Sequence, residues 1–263
     1  MLVRPKKELG QNFRFDDGVL STIASYGELS GGDTVLEIGP GLGTLTSRLC
    51  RQAGQVVAVE FDDELANLLP ANVAELSGYA VSNLTVVNQD FLGYDLSNLP
   101  ADYKVVANIP YNITSKIIEK LWSADNKPSL AVLLVQREVA ERLAAGAGRL
   151  SVLAISAQIF ADVELGIKVP AEMFTPAPKV DSQVIIMRRR SEQLVRNDQL
   201  EQFFYVVKAG FSEKRKKLRS SLAVGLRTSK AAAEQLLLEA DIDPNKRAQE
   251  LSMDDWKRLS KCE

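Results

Sequence analysis

Five short runs of aliphatic and β-branched residues, four of them followed by a stretch with helical spacing, dominate the first two-thirds of this chain. They lie at Thr34–Ile38, 56–60, Leu84–Asn88, Lys104–Asn108 and Leu130–Gln136. A strand covered on both faces needs no polar side, so it reads as an unbroken apolar run. Strands of that kind alternating with helices predict an α/β unit built on a parallel sheet. The intervening helices are placed at 44–50, at 63–75 with an interruption at Pro70, from a cap at Thr114 or Ser115 onward, and at 137–145. Residues 163–169 and 184–188 read as a late antiparallel pair, joined by the proline-rich stretch 170–178.

From about Ser191 no strand-like run remains. Leu200, Phe203, Phe204 and Val207 share a helix face, Leu236 and Leu237 mark a second, and Ile242-Asp243-Pro244 opens a third with proline early in it. The expected domains are therefore 1–190, α/β, and 191–263, helical.

Composition narrows the chemistry. Among 263 residues there is no histidine, which excludes Ser-His-Asp and Cys-His catalysis, histidine-bound zinc and any imidazole proton transfer. The two cysteines, Cys50 and Cys262, have neither metal spacing nor a disulfide framework around them, and a reducing compartment is expected. The basic start Met1-Leu-Val-Arg-Pro-Lys-Lys7 is followed by no apolar signal core, and no run is long enough to span a bilayer. The expected location is the cytoplasm. Net charge is -2, yet residues 188–227 hold 11 Lys/Arg against 4 Asp/Glu. That asymmetry fits a polyanion-facing region beside an acidic body, and equally a solvated helical face.

Between the first strand and its helix stands Glu37-Ile-Gly-Pro-Gly-Leu-Gly43. Gly39 and Gly41 allow a ligand close to the backbone. No Gly-Lys-Ser/Thr follows, which excludes a triphosphatase loop, and the last glycine gap is one residue shorter than the dinucleotide fingerprint. Glu60 ends the next strand, where a carboxylate can accept from both hydroxyls of a ribose. Asp90, after the third strand, can accept from an exocyclic adenine amine, with Phe61 and Phe91 for packing. Taken alone, it reads equally as a turn cap. At the end of the fourth strand, Asn108-Ile-Pro-Tyr111 supplies a side-chain acceptor, a carbonyl stiffened by Pro110 and an aromatic face. Those parts suit a planar amine on a stacked base.

The tetrad resembles the Asn/Asp-Pro-Pro-Tyr-type motif of S-adenosylmethionine-dependent amino methyltransferases, in the form carried by the rRNA adenine dimethyltransferase family. Other segments resemble that family in order: Leu9-Gly-Gln-Asn-Phe13 its cofactor lid, 37–43 its glycine motif, 169–182 the loop presenting a second aromatic, 211–219 its basic C-terminal helix, and 242–252 its closing segment. The resemblance covers nearly the whole chain and is strongest to the small-subunit (16S, KsgA-type) members. One departure is visible: Arg14 stands where the lid usually carries leucine.

The resemblance implies a Rossmann-like class I S-adenosylmethionine-dependent methyltransferase fold with a small C-terminal all-helical domain, residues 1–30 forming the lid and first helix. It implies cofactor contacts from Gln11, Asn12, the Arg14 backbone, Gly39, Gly41, Gly43, Glu60, Phe61, Asp90, Phe91 and Asn108, with S-adenosylhomocysteine as product and no metal. Asn108, Ile109, Pro110 and Tyr111 would carry the reaction, and Phe174 would close the base from the other side. Arg188, Arg189, Arg190, Lys214, Arg215, Lys216, Lys217 and Arg219 would hold RNA. The implied substrate is 16S rRNA in the small ribosomal subunit, dimethylated on N6 of two adjacent adenosines near its 3′ end by a monomer working away from membranes. Two rivals stand beside this: a 23S rRNA methyltransferase of the macrolide-resistance type, and a non-catalytic ribosome-assembly or transcription factor on the same fold. A nicotinamide dehydrogenase is a distant third, since nothing in it explains the tetrad.

Overall fold

The computed structural model of the chain describes residues 14–15, 17–175, 177–213 and 215–262. The described residues up to Ala140, with Asp162–Arg189, form one unit; Glu141–Ala161, with those from Arg190 onward, form another. One division thus falls between Arg189 and Arg190, while 141–161 is grouped with the C-terminal helices. Each unit is described by itself.

The first unit runs β1 (Arg14–Phe15), α1 (Asp17–Tyr26), β2 (Thr34–Ile38), α2 (Thr44–Gln52), β3 (Gln55–Glu60), α3 (Asp63–Ser77), β4 (Leu84–Asn88), β5 (Lys104–Asn108), α4 (Thr114–Ser123) and β6 (Leu130–Gln136). After α5 (Arg137–Leu143) come β7 (Ala161–Val169), β8 (Phe174–Thr175) and β9 (Ser182–Arg189). Seven strands form one sheet in the order β4-β3-β2-β5-β6-β9-β7, and β1 pairs with β8 apart from it. The first five are parallel and β9 runs antiparallel to β6. The α/β reading therefore holds, and the fold is Rossmann-like.

The sheet forms around central strands that are almost wholly apolar. In β6 the run Leu-Ala-Val-Leu-Leu-Val is fully buried, between β5 and β9. Each aliphatic side chain taken from water in this way contributes about 1.5–3 kcal/mol. Parallel pairing puts the carboxyl ends of β2 to β5 on one rim: Ile38 lies beside Val59, Glu60 beside Asn88, and Asn108 beside Leu134. Between β2 and β5 the strand order reverses, opening the crevice in which such sheets bind ligands.

Two local expectations are corrected. Pro70 does not interrupt its helix: α3 continues from Asp63 to Ser77. The proline sits on the exposed face, where water can satisfy the carbonyl it leaves unpaired, and buried Leu65, Ala66, Leu69 and Val73 anchor the helix on both sides of it. Nor does Thr114 cap α4; its hydroxyl donates back to the Pro110 carbonyl at 3.2 Å.

The second unit contains α6 (Val152–Gln158), α7 (Leu200–Gly210), α8 (Leu218–Gly225), α9 (Lys230–Glu239) and α10 (Met253–Cys262). Phe203, Val207, Leu218, Leu222, Leu237 and Trp256 are among its fully buried side chains, and Trp256 stacks on Phe211 with centroids 5.5 Å apart. A Cβ on Gly225 would lie 2.3 Å from the Ala209 Cα, so only glycine lets α7 and α8 come this close. The helix expected to open at Ile242 is a turn instead: the Asp243 carboxylate accepts from the Asn245 N–H at 2.9 Å and bends the chain. Helix α10 starts later, where Ser252 and Asp255 cap each other's backbone N–H groups. The described residues of the basic run, 211–213 and 215–217, form a connection between α7 and α8, not a helix.

Candidate active site

A cavity of about 260 Å³ opens on the carboxyl rim of the sheet at the reversal point. It is lined by the turn after β2, by Glu60 and Phe61 after β3, by Asp90 to Leu92 after β4, and by Asn108 to Ile113 after β5. Residues far apart in sequence meet here because parallel strands deliver every following loop to the same edge.

Gly39 and Gly41 have φ of 67° and 58°, a region that costs an ordinary side chain strain. The loop they form is held from two directions. Gly39 N–H donates to the Val59 carbonyl at 2.9 Å, and Gly41 N–H to Glu60 Oε2 at 3.1 Å. Gly43 does a different job from the one expected of it. It is absent from the cavity lining, and a Cβ on it would lie 2.7 Å from Val73 Cγ2 and 2.9 Å from Leu69 Cδ1. It lets the start of α2 pack against α3.

Glu60 is buried, and Asp62 N–H donates to its Oε1 at 2.9 Å. Burial raises its pKa, against the pull of the Asp62 and Gly41 N–H groups. Two donors leave acceptor capacity on both oxygens. Asp90 is exposed and caps the turn after it, its Oδ1 accepting from Leu92 N–H at 2.9 Å. The cap reading and the cavity reading both hold, since the turn uses one oxygen. Phe61 is 61% exposed, an aromatic face presented to the cavity, whereas Phe91 is buried beneath Lys120.

Asn108 is partly buried at the cavity, and no hydrogen bond joins its side-chain amide to another described residue. The Ile109 carbonyl follows beyond the last ladder pair of β5, while the Ile109 side chain is sealed in the core. Pro110 fixes the turn, and the Tyr111 phenol lies 2.5 Å from Ser182 Oγ. Burial raises the Tyr111 pKa, so the phenol stays protonated at neutral pH.

The second aromatic is not at the cavity. Phe174 is 3% exposed within the core cluster that includes Val169 and Val184, and it lies outside the cavity lining. Its backbone pairs with Phe15 in the two-stranded β1–β8 ribbon. Apolar burial holds the ring inside, so of the two expected aromatics only Tyr111 lines the cavity. Gln11 and Asn12 lie outside the described residues, as does Lys214; for Arg14 the structure gives the backbone, paired with Thr175.

The structure places Arg188-Arg-Arg190 away from the cavity. Ser182 pairs with Gln136 at the cavity rim, and Arg188 with Leu130 at the other end of the strand. At about 3.3 Å per residue that is roughly 20 Å away. Arg188 is held by Glu28 at 2.5 Å, Arg189 pairs with Asp102, and Arg190 donates to the Gln158 carbonyl at 3.0 Å. Exposed pairs of this kind are worth about 0–1 kcal/mol, so position rather than pairing separates them from the site. In the second unit, Arg215, Lys216, Lys217 and Arg219 line a separate hollow of about 620 Å³ together with Lys230 and Arg247. The last two gave no sequence signal, because Lys230 comes from the start of α9 and Arg247 from beyond the turn at 243–246.

Sequence reading also passed over Glu37 as a site residue. It lines the cavity, is 2% exposed, and its Oε2 has no hydrogen-bond partner among the described residues. Burial raises its pKa to about 8, opposed by the Thr46 hydroxyl and reinforced by Glu60. A lone acid within the apolar strand Thr-Val-Leu-Glu-Ile was the available signal. A raised acid pKa favours folding fully below about 4.5 and loses that contribution as pH climbs through about 8. Glu37→Gln should therefore flatten the alkaline loss of stability, with a gain on the order of a few kcal/mol at pH 9. Denaturant midpoints measured from pH 5 to 9 check it; parallel curves for the two proteins would refute it.

A family profile described as "Ribosomal RNA adenine dimethylase" matches residues 3–262. A Dehalococcoides mccartyi protein named Ribosomal RNA small subunit methyltransferase A is 38% identical over 262 residues, covering 98% of this chain and 88% of its own. A Geobacillus protein of the same name is 39% identical over 268 residues, covering 97% and 90%. Among solved structures, the 23S rRNA methyltransferase ErmE superposes with TM-score 0.76 at 32% identity, covering 95% of this chain and 99% of its own. A dimethyladenosine transferase from Plasmodium falciparum does so with TM-score 0.79 at 27% identity, covering 94% and 95%. With its cavity at the sheet's reversal point and a profile match along nearly its whole length, the chain belongs to the ribosomal RNA adenine dimethylase family.

Proposed function

We propose that this protein transfers methyl groups from S-adenosylmethionine to the N6 amines of two adjacent adenosines near the 3′ end of 16S rRNA in the small ribosomal subunit, giving N6,N6-dimethyladenosine. One observation carries the reading most: the side chain of Asn108 meets the cavity with its hydrogen-bonding groups unused by the described protein, between a glycine loop and the Tyr111 ring.

The residues present fit the cofactor. Glu60 keeps acceptor capacity for ribose hydroxyls, Asp90 an oxygen for the adenine amine, Phe61 an exposed ring, and Gly39 and Gly41 a backbone free of Cβ atoms. Glu37 sets an unpartnered carboxyl oxygen beside a ligand that carries positive charge. When bound, the cofactor supplies an activated methyl on a sulfonium, whose departure needs no acid.

The chain's task is then to place a poor nucleophile. The Asn108 side-chain carbonyl and the Ile109 carbonyl accept the two amine hydrogens, favouring a pyramidal nitrogen with its lone pair directed at the methyl carbon. Tyr111 supports the base, a stack worth about 1–3 kcal/mol. Orientation of this kind can supply about 7–11 kcal/mol of barrier reduction. No strong base is required: the Tyr111 phenol is protonated, and the excess proton leaves to solvent. RNA would be gripped by the hollow at Arg215 to Arg219 through its phosphates. Replacing Arg215, Lys216 and Lys217 by glutamine should weaken RNA binding and reduce its salt slope by about 0.7–0.9 per lost phosphate contact, with cofactor affinity intact. Equal loss of both affinities would make the segment structural.

The likeness to ErmE favours a second reading, large-subunit RNA as substrate. The two separate when labelled S-adenosylmethionine is incubated with unmethylated small subunits and, in parallel, with large-subunit RNA. Label in dimethyladenosine of the small subunit supports the first reading; label confined to 23S rRNA replaces it with the second.

A further inference from the structure

Tyr111 is held by a residue from a distant part of the chain. Ser182, the first residue of β9, is fully buried, and its hydroxyl lies 2.5 Å from the Tyr111 phenol, across 71 positions of sequence. Among the described residues that hydroxyl has no other hydrogen-bond partner. Its backbone is fixed as well, in antiparallel register with Gln136 at the cavity end of β6. The preceding residue, Asp181, takes hold of the loop that carries Phe174: its Oδ1 accepts from Ala171 N–H at 3.2 Å, and Arg137 reaches its Oδ2 at 3.3 Å. Two consecutive residues thus brace both the aromatic floor of the cavity and the neighbouring loop.

We propose that Ser182 is a positioning residue for methyl transfer, fixing through the Tyr111 phenol the tilt of the ring on which the acceptor base rests. The inference rests on the methyl-transfer reading. A phenol anchored at its far end cannot swing about the Cα–Cβ bond, so the base lying on the ring keeps its amine at one height relative to Asn108. Without the anchor the ring is still present and still stacks. What is lost is the fixed angle, and misplacement by about 1 Å can cost on the order of 100-fold in rate. The loss belongs in kcat, since neither residue of the pair is needed to take up the cofactor.

The test is a double-mutant cycle of Ser182→Ala and Tyr111→Phe, with single-turnover methyl transfer to small subunits and calorimetric uptake of S-adenosylmethionine measured on each protein. Each single variant is expected to lower kcat about 10-fold or more at unchanged RNA KM and unchanged cofactor affinity. The double variant should be no slower than the worse single one. Losses that multiply in the double variant would show two independent effects and overturn the proposal. Should Ser182→Ala fail to fold, Tyr111→Phe breaks the same bond from the other side, and wild-type kcat in that variant overturns it alone. A wild-type protein that moves no label to either RNA defeats the functional reading itself, a result distinct from both.

Discussion

Asn108→Ala is expected to lower methyl transfer at least about 100-fold while leaving the protein as stable as before, within about 0.5 kcal/mol. The two halves of that result follow from one feature. The amide has no hydrogen-bond partner among the described residues, so its removal strands no buried donor or acceptor. The cavity, however, loses the acceptor that turns the adenine amine toward the methyl group. Single-turnover rates and a denaturation curve on the same preparation check it. A variant with wild-type turnover would remove Asn108 from the reaction, and a variant that unfolds would make it structural.

Glu60→Gln is expected to weaken S-adenosylmethionine binding about 100-fold or more. Hydrogen bonds to a charged acceptor contribute about 1.5–3 kcal/mol each, and the carboxylate offers them to two ribose hydroxyls. Glutamine keeps one carbonyl oxygen and puts an NH₂ where the Gly41 or Asp62 N–H already donates. Two donors then face each other, and if the NH₂ meets Gly41 the glycine loop keeps only its Gly39–Val59 tie to β3. Calorimetric titration reads the affinity directly. An unchanged Kd would mean that the carboxylate serves the loop alone.

Much of this was legible in the sequence, for identifiable reasons. Strands β2, β5 and β6 fall where their apolar runs begin and end, because burial on both faces keeps their interiors apolar; the edge strand β4 is only half-buried, yet its β-branched run sets its limits too. The rim residues Glu60, Asp90 and Asn108 follow from those limits, each standing at or just after a strand end. Less legible was anything set by packing between distant segments. The pairing of Arg14–Phe15 with Phe174–Thr175 is too short to leave a period in the sequence. Gly43 looks like a ligand glycine until Leu69 and Val73 appear against it. That Arg188 and Arg189 stand at the rim opposite the cavity follows from the antiparallel course of β9, which no local pattern shows. Pro70 carries a breaker's signal that burial of its neighbours overrides.

The central claim is that one cavity brings the methyl donor to Asn108, and a crystal structure with bound S-adenosylhomocysteine tests it most directly. The account predicts the ribose on Glu60, the adenine beside Asp90 and Phe61, and the sulfur facing the Asn108 amide and the Tyr111 ring. An adenosyl group seated elsewhere, or a sulfur turned away from Asn108, would contradict it.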